Sequence, residues 1–86
     1  MPRVAEFFGI AIYIYYDDHP PAHFHARYEG QWARVAIEDL AVLDSDLTPR
    51  ALGLVLEWAA ARQSELTRAW QQAAIHQALD PIEPLR

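Results

Sequence analysis

Three of the four histidines of this chain fall within seven residues, at His19, His23 and His25. On an extended strand, His23 and His25, two residues apart, leave the same face with Cβ atoms roughly 6.5 to 7 Å apart. Two imidazoles at that spacing can converge on one ion at about 2.0 to 2.1 Å, and His19 from the adjoining loop completes a three-His facial set for a divalent transition metal, zinc being the first choice. Asp17, Asp18, Glu38 and His76 are candidates for a further ligand. A second chemistry uses the same residues differently. With His23 and His25 as an acid/base pair and Arg34 holding a phosphate, they suffice in principle for metal-free RNA cleavage through the 2′-hydroxyl. The plainest alternative is that the histidines pack under a helix or the tail, hydrogen-bonded to Asp17 or Asp18, and merely hold the loop.

The elements that must position these side chains follow from residue pattern. Residues 7–16 are apolar, β-branched or aromatic, with Ile10, Ile12 and Ile14 alternating against Ala11, Tyr13 and Tyr15, which predicts one largely buried strand. Residues 17–21, with Pro20 and Pro21, must be a loop, and it presents His19. Residues 22–28 and 31–38 read as a hairpin across a two-residue Glu29-Gly30 turn. Pairing Tyr28 with Gln31 puts Ala26 opposite Ala33 and Phe24 opposite Val35 on one apolar side. His23, His25 and Arg27 then share the other side with Ala36, Arg34 and Trp32. A short strand near 41–43 returns, and Asp44-Ser45-Asp46 then breaks the sheet.

Thr48-Pro49 is a helix start, the threonine accepting at the N-cap and the proline fitting N1, where no donor is needed. Leu52, Val55, Leu56, Ala59, Leu66, Trp70 and Ala73 recur at helical spacing through about residue 77. A straight 28-residue helix would run about 42 Å, longer than a domain of this size is wide, so a break is expected near Gln63-Ser64 with Ser64 as a second N-cap. Pro81 and Pro84 exclude helix from the tail, which either folds back over the sheet or contacts a partner. The expected fold is therefore α+β, a four-stranded antiparallel meander covered on one face by a long or broken C-terminal helix. It forms a single domain over 1–86, with a sheet half at about 1–44, a helical half at 48–78 and a tail at 79–86.

Composition bounds the function classes. Eighty-six residues, 52% hydrophobic with ten aromatic side chains, can build one compact core without a staple. The absence of cysteine removes disulfide frameworks, zinc ribbons and thiolate nucleophiles. The first residues lack signal-peptide character and no run reaches the length of a membrane span, so a cytoplasmic protein is expected. The net charge of −5, with seven Arg and no Lys, argues against broad nucleic-acid binding while leaving room for a local basic patch. Trp32 and Trp58 mark a candidate subunit contact, as in a homodimer.

The stretches Phe7-Phe8-Gly9-Ile10, Tyr15-Tyr16-Asp17-Asp18-His19, His23-Phe24-His25-Ala26, Leu54-Val55-Leu56-Glu57-Trp58-Ala59 and Ile82-Glu83-Pro84-Leu85 occur in this order along nearly the whole chain. In these the sequence resembles the bacterial family called domain of unknown function 4160. The positions of the family motif carried here are His19, His23 and His25. Ala22 is a departure, since relatives more often have a second proline directly before the His-Phe-His element. Members are small stand-alone proteins, often encoded beside another short protein, a pairing from which membership in toxin–antitoxin modules has been inferred.

The resemblance implies a cognate small protein as partner, and with the His/Arg face an RNA-binding role in such a module. The first alternative is a metal-binding protein or metal-dependent hydrolase using His19, His23 and His25. A third is a protein-binding adaptor with structural histidines. If the chain is an enzyme, these alternatives make it a nuclease or a metal-dependent hydrolase.

Overall fold

The computed structural model describes residues 2–86; the expectations that touch Met1 lie, for that residue, outside the described residues. Five strands, β1 (Arg3–Phe7), β2 (Ile10–Tyr13), β3 (His23–Tyr28), β4 (Gln31–Ala36) and β5 (Val42–Ser45), precede two helices, α1 (Pro49–Ala61) and α2 (Gln63–Ala74). The strands form one antiparallel sheet in the order β1-β2-β3-β4-β5, a meander, so the α+β class stands with one strand more than expected.

The extra strand is β1, formed by residues ahead of the single strand expected over 7–16, of which only Ile10–Tyr13 is strand. Phe8 and Gly9 both have positive φ (51° and 79°), the twist that a two-residue hairpin needs, and Phe7 pairs with Ile10 across them. Apolar character hides this turn in the sequence, because the first turn residue is a phenylalanine. Glu29 and Gly30 repeat the same angles (51° and 79°), and there the expected register holds: His25 opposite Arg34, Phe24 opposite Val35, Ala26 opposite Ala33. The last strand sits slightly later than the expected 41–43. It includes Asp44 and Ser45, because Arg34 pairs with Asp44 and draws that residue into the ladder.

Ile10, Ile12, Phe24 and Val35 form the apolar side of the sheet and are buried against Val55, Trp58 and Ala59 of α1 and Leu66, Ala69 and Ala73 of α2. Trp58 is the hub, its ring 5.3 Å from Phe7 and 5.9 Å, edge-on, from Phe24. It is 1% exposed, and this burial removes it from the expected subunit contact. Burying each large side chain of this layer contributes roughly 1.5 to 3 kcal/mol.

Thr48 caps α1, its Oγ1 accepting from the Ala51 amide at 3.2 Å, with Pro49 in the first turn. The helix breaks at Arg62, one residue before the expected place, and Ser64 is not the second cap: position 62 precedes α2 with no side-chain cap bond. Gln63 explains the site of the break, because its Nε2 donates to the carbonyls of Ile37 and Glu38 (2.9 and 3.1 Å) and pins the junction to the β4–β5 turn. The molecule measures 33 × 24 × 23 Å, shorter along its longest axis than an unbroken helix from 49 to 74 would be, at about 39 Å.

Beyond α2 the tail folds back on β1. The Ile82 amide donates to the Val4 carbonyl at 2.8 Å, where the β1–β2 register slips, and Trp58 Nε1 donates to the Glu83 carbonyl at 2.8 Å. One edge of the sheet is thereby covered. Among the described residues no helix is long and apolar enough to cross a membrane.

Candidate metal centre

The end of β2, the loop after it and the start of β3 meet at one point. Tyr13 is the register partner of His25, so the chain leaving β2 stays close to β3 while residues 14–22 reverse its direction. Asp17 takes a positive φ of 57°, an angle that aspartate tolerates better than most residues, and the Pro20–Pro21 peptide is cis. The carboxylate of Asp18 is fixed within this loop, Oδ1 accepting from the His19 amide at 2.8 Å.

Asp18 Oδ2 then lies 3.1 Å from His23 Nε2 and 3.2 Å from His25 Nε2. The ligand atoms of Asp18, His23 and His25 all fall within 4.8 Å of one another. An ion bound at about 2.0 to 2.2 Å holds neighbouring ligand atoms roughly 3 to 3.5 Å apart, so the set is close to assembled. His23 is 3% exposed, and its Nδ1 lies 2.8 Å from the Pro21 carbonyl. A carbonyl only accepts, so Nδ1 carries the proton. In the neutral ring Nε2 is then an unprotonated lone pair facing a carboxylate oxygen. The backbone bond on the far nitrogen is the outer contact that orients a ligating histidine.

Burial pushes the Asp18 carboxyl up, but the His19 amide, the His25 hydrogen bond and the two imidazoles together outweigh it and hold the group below its ordinary range. Burial lowers His25 more than its hydrogen bond to Asp18 raises it. Both shifts favour a carboxylate beside a neutral imidazole, whose Nε2 proton meets Asp18 Oδ2. Burial, with repulsion from Tyr13 and Asp18, raises the neighbouring Tyr15 phenol and keeps it neutral.

Aromatic rings wall the site. Tyr15 meets His25 edge-on at 4.5 Å, Trp70 of α2 lies 5.3 Å from His23, and Trp32 lies 6.3 Å from His25. A cleft of about 270 Å³ opens beside Asp18 between Tyr15, Asp17, Trp70 and Ala73. At its rim His76 Nε2 is 2.9 Å from Asp17 Oδ1, and its ring stacks on Tyr16, tying the end of α2 to the loop.

Of the residues expected from sequence, His23 and His25 come together. His19 is exposed at the loop tip and contributes its backbone amide to the site, while Asp18 stands as the third candidate ligand beside the two imidazoles. Arg34 stands opposite His25 in the register, yet its guanidinium is held by Asp44 through Nε and Nη2 at 3.0 and 2.7 Å. His76 stands one layer out, on Asp17. Sequence reasoning places the tyrosines of the first strand near His25 but misses Trp70 as a wall. Trp70 carried no signal beyond its place in an apolar helical stripe, and only the break at Arg62 turns it toward His23.

No curated protein and no solved structure matches the chain. A family model does match residues 9–71, nearly three quarters of the sequence, and the matched span contains Asp18, His23 and His25 together with Tyr15 and Trp70. The chain belongs to the family described as Domain of unknown function (DUF4160).

Proposed function

We propose that this protein binds one divalent transition metal, zinc first, through Asp18 Oδ2, His23 Nε2 and His25 Nε2, and that it acts as a metal-dependent hydrolase in the cytoplasm. The observation that carries this reading is the His23 ring. Its Nδ1 proton is committed to the Pro21 carbonyl, which leaves its buried Nε2 as the atom that faces the carboxylate oxygen that His25 also approaches. Asp18, His23 and His25 would hold a cation there in place of the proton that His25 Nε2 shares with the carboxylate. Three protein ligands would leave the ion a position for water, which is the ligand count of a catalytic and not a structural zinc site. Water bound there would be acidified toward about pH 7, which is what such an ion supplies to hydrolysis.

The test is calorimetric titration of metal-free protein with Zn²⁺ and Co²⁺. One equivalent is expected to bind, with loss of binding in His23→Ala and His25→Ala. Cobalt should also give visible bands of a site with nitrogen and oxygen ligands, and should quench Trp70, whose ring is 5.3 Å from His23. Failure to bind in a folded parent would end this reading.

Metal-free RNA cleavage ranks second because Arg34, its phosphate-holding group, is already paired with Asp44. Membership in a two-protein module and binding of a cognate small protein rest on the family resemblance. Their test is growth arrest on expression that is relieved by co-expression of the neighbouring gene.

A further inference from the structure

A second, larger cleft of about 490 Å³ lies at the other end of β3, between the β1–β2 turn and the start of α1. Tyr28 lines it, five residues along β3 from His23 and so about 16 Å away, far from the Asp18 cluster. Ile10, Ala51 and Leu54 give it apolar lining, and Thr48, Phe8, Tyr28 and Arg50 complete it. The volume falls within the range of small-molecule sites, and the mixture of apolar walls with a few polar groups is the usual one.

Two features of this cleft are unexplained by folding. Phe8 is 61% exposed and sits at a φ of 51°, a conformation in which a bulky side chain is unfavourable and asparagine or glycine would be the ordinary choice. Its ring lies edge-on to the buried Phe7 ring, with centroids 6.4 Å apart. A strained backbone supporting an exposed aromatic ring at a cavity is a mark of function. The second feature is Arg50. Arg3, Arg34, Arg62, Arg68 and Arg86 each pair with a carboxylate, and Arg27 lies over the Trp32 ring. Among the described residues Arg50 alone has neither kind of partner, in a helical turn that contains no acidic residue. In a chain of net charge −5, an unpaired guanidinium on an aromatic cleft selects for an anion.

We propose that this cleft binds a small planar aromatic ligand bearing an anionic group, its ring against Phe8 and Tyr28 and its phosphate or carboxylate on Arg50. The proposal does not depend on an ion at Asp18. The experiment is a ¹H–¹⁵N NMR titration of the full chain with AMP and with 4-hydroxybenzoate, the two sources of this chemistry. Adenosine and inorganic phosphate, each lacking one half of it, serve as controls. Millimolar AMP or 4-hydroxybenzoate is expected to shift the amides of Phe8, Gly9, Tyr28 and Arg50 to Leu54, and whichever does so identifies the anion. Affinity should fall at least about tenfold in Arg50→Glu and in Phe8→Asn, both surface changes. Phe8→Asn should unfold no more easily than the parent, since asparagine tolerates the turn. The proposal is overturned if neither ligand moves these amides, if adenosine binds as well as AMP, or if the shifts persist in Arg50→Glu.

Discussion

Replacing Asp18 by alanine in metal-free protein isolates what the carboxylate contributes to the fold. Its Oδ1 accepts from the His19 amide and its Oδ2 from His25 Nε2, while its side chain is 20% exposed. Hydrogen bonds to a charged acceptor are worth about 1.5 to 3 kcal/mol each, and with water replacing part of them at a partly open site the loss should total about 2 kcal/mol. For a chain of this length that lowers the midpoint of thermal unfolding by about 10 °C.

The pH dependence of that difference has a definite sign. Asp18 is depressed in the folded state, so its contribution is present above its unfolded value near 3.9 and is lost as pH falls through the lower folded value. His25 is depressed as well, so the parent loses stability as pH falls below about 6.5. Without Asp18 the His25 value drops further, and the gap between variant and parent should widen between about pH 6.5 and 5 before closing in strong acid. Zinc at 100 times its Kd should add about 2.7 kcal/mol, or about 15 °C, to the parent and nothing to the variant. The assay is thermal unfolding followed by circular dichroism at stepped pH, with chelator and then with zinc. A midpoint change under about 3 °C at pH 7.5 in chelator would refute the account of the loop.

Three further outcomes are expected. Trp58→Phe removes the Nε1 donation to the Glu83 carbonyl and should cost about 2 kcal/mol, with faster hydrogen exchange at the Ile82 amide as the tail releases β1. Gly30→Ala should cost about 1 to 2 kcal/mol through its φ of 79° alone, because no atom lies within 4 Å of the added methyl, and denaturant titration will read it. His76→Ala breaks an exposed contact and should leave the unfolding midpoint within about 2 °C, while weakening zinc binding severalfold in calorimetry because the Asp17–Asp18 loop loses its tie to α2.

Local rules carry much of this molecule. The Glu29-Gly30 turn fixed the β3–β4 register, because a one-residue slip would expose Phe24 and Val35. Thr48-Pro49 set the start of α1, and chain length against domain width required the break. With the strand period, these were enough to put His23 and His25 on one face.

The sequence by itself thus determined the α+β class, the central hairpin, the helix start and the pairing of two imidazoles, all from neighbours at most a few residues apart or from a pattern of period 2 or 3.6. Tertiary structure decided the rest. It turned Phe8-Gly9 into a hairpin against the hydrophobic signal and buried Trp58 under the tail. It brought Asp18 instead of His19 onto the two imidazoles, committed Arg34 to Asp44 and swung Trp70 across to His23. Each of these depends on where a side chain lands after the backbone has turned a corner. At a loop between residues 14 and 22, adjacent residues such as Asp18 and His19 differ only in the direction they point, and no periodicity records that direction.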